Sequence, residues 1–369
     1  MRAQLGGTPP VLVTVFASTS QPLGEVVQYL AAELPGVTIL GASTAGEFTE
    51  KGDAKSSISA FALAGDYKVF AGMGLDLKAN PERAVRQAIE GLPKAVQGYS
   101  HRTGILLLDP LAGNGEEVTL IAASMLGADE PLAGGAAGDD LQMKTTHVAC
   151  GSRAASDAVV IAQIFSKSPL GLGVCHGHTP LSKPLKVTSA LGNVVKTIEG
   201  RPAWEVWLEH TRDRARERGI DQAAMTAADE GPYLLRYEAG LAAGAEYKIR
   251  APLSRTEDGA ISFACGIPEG TVIRITESAA ESQIASAREA AKRARAQLGG
   301  RPAAGALVFD CICRNLILDK GFDAAVRGMS AELGDVPICG FETYGEIALD
   351  AGDMSGFHNT TSVVLAFPK

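Results

Sequence analysis

The side chains best suited to chemistry lie in Gly173-Val174-Cys175-His176-Gly177-His178-Thr179-Pro180, where two of the chain's six histidines stand at i and i+2. On an extended segment both rings face one side and Cys175 the other, an arrangement that could ligate a metal or a haem iron. The same residues also suit a polar turn ahead of Pro180, with each ring hydrogen-bonded to backbone. No third ligand is marked by spacing. His358, in Gly356-Phe357-His358-Asn359-Thr360-Thr361, precedes a last apolar run that could carry it to a pocket.

A second set of candidates sits in two glycine-rich stretches, Gly41-Ala42-Ser43-Thr44-Ala45-Gly46-Glu47 and Gly340-Phe341-Glu342-Thr343-Tyr344-Gly345-Glu346. Glycine permits positive φ and a close approach of ligand to backbone, while threonine and glutamate add a hydroxyl and a carboxylate. A pocket lined by Ser43, Thr44, Glu47, Thr343 and Glu346 is one reading. Tight turns whose threonine and glutamate satisfy loose backbone N–H groups are the other.

Other chemistries find little support. Ala17-Ser18-Thr19-Ser20 stands where a dinucleotide fold would carry Gly-x-Gly-x-x-Gly, and no Gly-Lys-Ser/Thr or Gly-x-Ser-x-Gly occurs. Cys311-Ile312-Cys313 has neither the redox nor the zinc-knuckle spacing, and the six scattered cysteines read as reduced thiols.

The elements that must position these residues form a repeat. Val11–Phe16 reads as a strand, Gly24–Leu34 as a helix, and Val37–Leu40 as a second strand that runs into the first glycine-rich exit. Gly305–Asp310, Phe322–Leu333 and Val336–Cys339 repeat that order before the second exit. A weaker middle copy runs from Gly104–Asp109 through Glu116–Met125 to Gly134-Gly135-Ala136-Ala137-Gly138-Asp139, where Asp139 takes the place of the glutamate. A further apolar strand follows each exit. Tyr67–Leu75 with helix Pro81–Ile89 is matched to Thr271–Ile275 with helix Glu277–Gln297. The expected class is α/β: duplicated strand-helix-strand units forming two related halves with helix-covered sheets, divided as 1–184 and 185–369.

A net charge of -8 argues against a nucleic-acid backbone or an anionic membrane surface as partner. The N-terminus has no signal-like apolar run, and no stretch approaches the roughly 20 residues of a spanning helix. A cytoplasmic protein is expected.

Taken together, Leu40–Glu47, Gly134–Asp139, Val174-Cys175-His176-Gly177, Gly340–Glu346 and His358-Asn359-Thr360-Thr361 resemble the FIST family, over nearly the whole length from Val11 to Phe367. Phe309–Arg314 and Tyr247–Arg250 resemble its C-terminal region. The resemblance implies a non-enzymatic input module that binds a small molecule and reports to a sensor histidine kinase or another signalling protein. A stand-alone chain of this size is similar to the haem proteins of that family that sense nitric oxide, which implies haem with His176 or His178 as ligand. The family's His-Gly-Trp is here His176-Gly177-His178, so an imidazole replaces the indole. The alternative implied by the resemblance is a sensor of an amino acid or related metabolite, with Glu47, Glu346, Arg250 and Arg314 meeting ammonium and carboxylate. An uncharacterised enzyme ranks third.

Overall fold

The computed structural model describes residues 4–127, 129–350 and 356–369. The first copy comprises β1 (Pro10–Ala17), α1 (Leu23–Glu33), β2 (Thr38–Ser43), the hairpin β3 (Glu47–Thr49) and β4 (Gly52–Ala54), and β5 (Ile58–Ala64). β1 is a β-branched run buried on both faces. It pairs parallel with β2 and antiparallel with β5, while α1 covers one face through Leu23 and Val27.

β6 (Tyr67–Leu75) and α2 (Pro81–Ile89) lead into the second copy: β7 (His101–Leu108), α3 (Gly115–Leu126), β8 (Leu132–Ala136), hairpin β9 (Val148–Cys150) and β10 (Arg153–Ala155), and β11 (Ala158–Ser166). After β12 (Gly171–His176) the chain leaves the repeat for a separate antiparallel sheet. This contains β13 (His178–Pro180), β14 (Leu185–Leu191), β15 (Val194–Ile198) and β16 (Arg201–Pro202), then α4 (Ala203–Glu217) and α5 (Ala227–Arg236). It continues through β17 (Tyr237–Ala243), β18 (Glu246–Arg250), β19 (Pro252–Arg255), β20 (Ile261–Phe263) and β21 (Val272–Ser278). α4 packs Trp207 into its core, with the indole N–H donating to the Tyr237 carbonyl at 3.2 Å.

The third copy follows α6 (Ala280–Ala296): β22 (Ala303–Cys311), α7 (Ile312–Leu318), α8 (Phe322–Glu332), β23 (Ile338–Thr343), hairpin β24 (Glu346–Leu349) and β25 (Gly356–His358), and β26 (Thr361–Pro368). The α/β class and helix-covered sheets therefore hold, with two copies in the N-terminal half and one in the C-terminal half.

Each copy gives its hairpin away. β3 pairs with β23 of the third copy, β9 with β2 of the first, and β24 with β8 of the second. The exchange closes a cycle around one apolar core to which all three copies contribute, with Phe16 and Phe341 at 4.5 Å between ring centroids.

Register corrects two sequence correspondences. Gly41 lies opposite Val15, Gly134 opposite Leu106 and Gly340 opposite Val308. A Cβ at these three glycines would come within 3.0, 1.9 and 2.5 Å of the facing carbonyl oxygen. Counting from them, Asp140 rather than Asp139 holds the position of Glu47 and Glu346. Secondly, the counterpart of β6 is β12, not β21. β6 pairs antiparallel with β11 and packs under α2; β12 pairs antiparallel with β26 and packs under α6. The strand–helix pair of the third copy is thus interrupted by the separate sheet, so Thr271–Ile275 adjoins α6 in sequence but belongs to that sheet. The expected helix start at Glu277 also shifts, since β21 runs to Ser278 and α6 begins at Ala280.

Candidate functional site

The three exits meet one another through their backbones. Ala45 N–H donates to the Glu342 carbonyl and Glu342 N–H to that of Gly46; Ala136 and Tyr344 bond to Gly345 and Ala136; Gly138 and Asp140 bond to Ser43 and Thr44. Their side chains turn inward. The Thr44 hydroxyl donates to Glu47, and the Thr343 hydroxyl donates to Glu346 Oε1 at 2.5 Å. The second carboxylate oxygens accept from the Ser57 hydroxyl at 2.7 Å and from Thr361 N–H at 3.1 Å. Burial raises both glutamates above the usual carboxylate range.

These contacts separate the residues the sequence grouped into one pocket. Ser43 accepts from His147 N–H at 2.8 Å and lines an open cleft of about 560 Å³ with Ser18, Asp139 and Lys144. Thr44 and Glu47 are buried at that seam. Thr343 and Glu346 belong to a different one, together with His176, His178, Arg250 and His358.

This second seam lies where the separate sheet meets the third copy. β12 ends at His176, and Gly177 passes so close to α6 that a Cβ would fall 2.7 Å from Gln283 backbone. His178 then pairs with Ser278 of β21, so the two histidines straddle the crossing between sheets. His178 N–H donates to His176 Nδ1 at 3.1 Å, and the rings lie 5.8 Å apart between centroids, tilted by 55°. Glu238 on β17 places Oε2 3.5 Å from His178 Nε2. Its Oε1 accepts from the Thr360 hydroxyl at 2.9 Å. Thr360 is held at φ 52° in the turn before β26, the conformation also taken by Ser56 and Asp157 at the same place in the other copies.

At the far end Arg250 donates to the Phe357 carbonyl at 3.1 Å and to Glu116 Oε1 at 2.7 Å. His358 lies opposite Glu346 in the β24–β25 pair. Four of these side chains keep buried polar atoms without a close hydrogen-bond partner: both ring nitrogens of His178 and of His358, the latter approached only by Ala348 backbone, Oε2 of Glu238 and Nε of Arg250. Each such group costs about 1–3 kcal/mol unless something satisfies it. Their concentration in one seam is therefore a functional signal.

Burial sets the charge state. It lowers His176 to about 4, His358 to about 3 and His178 well below its ordinary value, and pushes Glu238 up to about 8. At neutral pH the histidines are neutral and Glu238 keeps its proton, so the His178–Glu238 approach is not an ion pair.

Arg314, expected to meet a ligand carboxylate, bonds within the protein. Every terminal nitrogen is engaged: Nε with Asp310 at 2.8 Å, one η-nitrogen with Ser286 at 2.9 Å and the other with the Gln283 carbonyl at 2.9 Å. It ties α6 to α7 beneath the seam. Among the described residues no three His, Cys, Asp or Glu side chains are placed to hold a metal ion together. His176 is already satisfied by His178 N–H and by Tyr247 backbone. The contacts of His178 within the seam, with His176, Ser278 and Glu238, are to polar or ionisable residues.

Sequence reasoning missed Glu238 and Thr360. The available signal for Glu238 was a lone acid in the otherwise apolar run Tyr237-Glu238-Ala239-Gly240-Leu241.

Two family models match this chain, one described as the FIST N domain over residues 11–201 and one as the FIST C domain over residues 203–349. The comparison with curated proteins gave no match.

Proposed function

The chain belongs to the FIST family, whose domains sense small ligands in signal transduction, and on that premise we propose that its ligand is an amino acid or related zwitterionic metabolite bound in the seam between the separate sheet and the third copy. The observation that carries this reading is the set of unpartnered polar atoms on His178, Glu238, Arg250 and His358. Glu238 and Glu346 offer carboxyl oxygens to an ammonium group, and Arg250 Nε with His358 offers donors to a carboxylate. The bound state is passed to a signalling protein, such as a sensor histidine kinase.

A thermal-shift screen of amino acids tests the proposal. A ligand at about 100 times its Kd adds roughly 2.7 kcal/mol, and the response should vanish in Glu238→Ala. A flat screen across all of them would sink it. A haem-linked sensor of nitric oxide predicts instead a stoichiometric Soret band on haem reconstitution, lost in His176→Ala or His178→Ala; that result would replace the amino-acid reading.

A further inference from the structure

The copies are not equally complete. In the second, β11 carries β6 along its outer edge, with α2 packed above; in the third, β26 carries β12, with α6 above. The matching strand of the first copy, β5, is the last in its sheet. Among the described residues its backbone bonds to no strand except β1.

The place where a strand and helix are missing is open. Ile58, at 41% exposure, and Ala60 face outward on β5, while Ser59, Phe61 and Leu63 face the core. On α1, Gly24 faces Ala154 of β10. Tyr29, about 140° further round the helix, is 66% exposed. In the other copies the crossover helix packs against α2 or α6.

Proteins guard open edges with charges, prolines or bulges that bar edge-to-edge pairing. From Ser56 to Gly65 this chain has neither a charge nor a proline. We propose that this edge is an interface with a second copy of the same chain, β5 pairing antiparallel with its counterpart across a two-fold axis. The antiparallel sense is the one in which β6 meets β11 and β12 meets β26. A dyad at Phe61 puts Ile58, Ala60, Ala62 and Ala64 of both copies on one outer face, where the small side chains do not clash. An acidic chain would repel its copy at most surfaces; this strip is uncharged.

Sedimentation equilibrium of the full chain tests the interface. Twice the chain mass is expected for the wild type, with a twofold fall for Ala60→Lys and for Ile58→Lys at unchanged circular dichroism. Amides of residues 58–64 should exchange more slowly in concentrated than in dilute wild-type protein, a readout that needs no variant. A wild type that stays monomeric, a folded Ala60→Lys that stays dimeric, or exchange independent of concentration overturns the proposal. A monomer that instead takes a strand from another protein overturns it equally.

Discussion

His178 and Glu238 face each other at 3.5 Å with no exposed side-chain surface, and burial drives both toward their neutral forms. The pair therefore holds a proton that a cationic ligand must displace. Affinity for an amino acid should rise about tenfold per pH unit from about pH 6 and level off near pH 8, where Glu238 ionises unaided. Calorimetry in buffers of different ionisation enthalpy should register one proton released. Glu238→Gln should flatten the profile; a profile unchanged in that variant would show that Glu238 does not take part.

His358 makes the protein sensitive to acid. Its folded value is about 3, against roughly 6.5 in an unfolded chain, so below about pH 6.5 the unfolded state binds the extra proton. The stability it confers is fully present above that pH and declines as pH falls toward 3. Relative to His358→Asn, the wild type should lose up to ~1.4 kcal/mol per pH unit over that window. Denaturant melts at several pH values measure the difference, and parallel curves for the two proteins would refute it.

Gly74 and Gly173 should respond alike to the same substitution. A Cβ would fall 1.8 Å from the Ala84 carbonyl oxygen in one case and 1.9 Å from that of Ala290 in the other. Each change to alanine forces α2 or α6 off its strand, and overpacking of this kind costs about 1–3 kcal/mol. Thermal melts of both variants check the equivalence of β6 and β12; a neutral Gly173→Ala would break it.

Arg314→Met should cost stability without passing through ligand contact. Removing one partner of a buried pair costs about 3–5 kcal/mol because Asp310 stays buried without its cation, keeping only the Ser362 hydroxyl. Adding Asp310→Asn should recover part of the loss. Were the single variant as stable as the wild type but unable to bind, Arg314 would be a ligand contact after all.

Glu47 and Glu346 have matching hydrogen bonds to a threonine three residues earlier, yet they sit at different seams. Glu346→Gln should weaken amino-acid affinity at least tenfold, whereas Glu47→Gln should leave it within twofold. Isothermal titration of both variants decides, and equal losses would mean that the seam alone does not define the site.

Much of the fold was legible because its signals are local. β-branched runs such as Val11–Phe16, helical spacing after them and glycines at the exits arise from steric and periodic constraints within a few residues. Family resemblance pointed to His176 and His178 and, in a rival reading, to Arg250 and Glu346, but nothing in the sequence brought the two sets together. By itself the sequence determined the α/β class, the repeated unit and the residues that could do chemistry. The tertiary structure decided which of them meet. Hairpin exchange moves Glu47 and Glu346 onto different neighbours, and the crossing at Gly177 brings Glu238 beside His178 from 60 residues away. The glycine-rich exits need their glycines for close backbone approach in every copy. Their threonines and glutamates acquire separate roles only from what each exchanged strand is packed against.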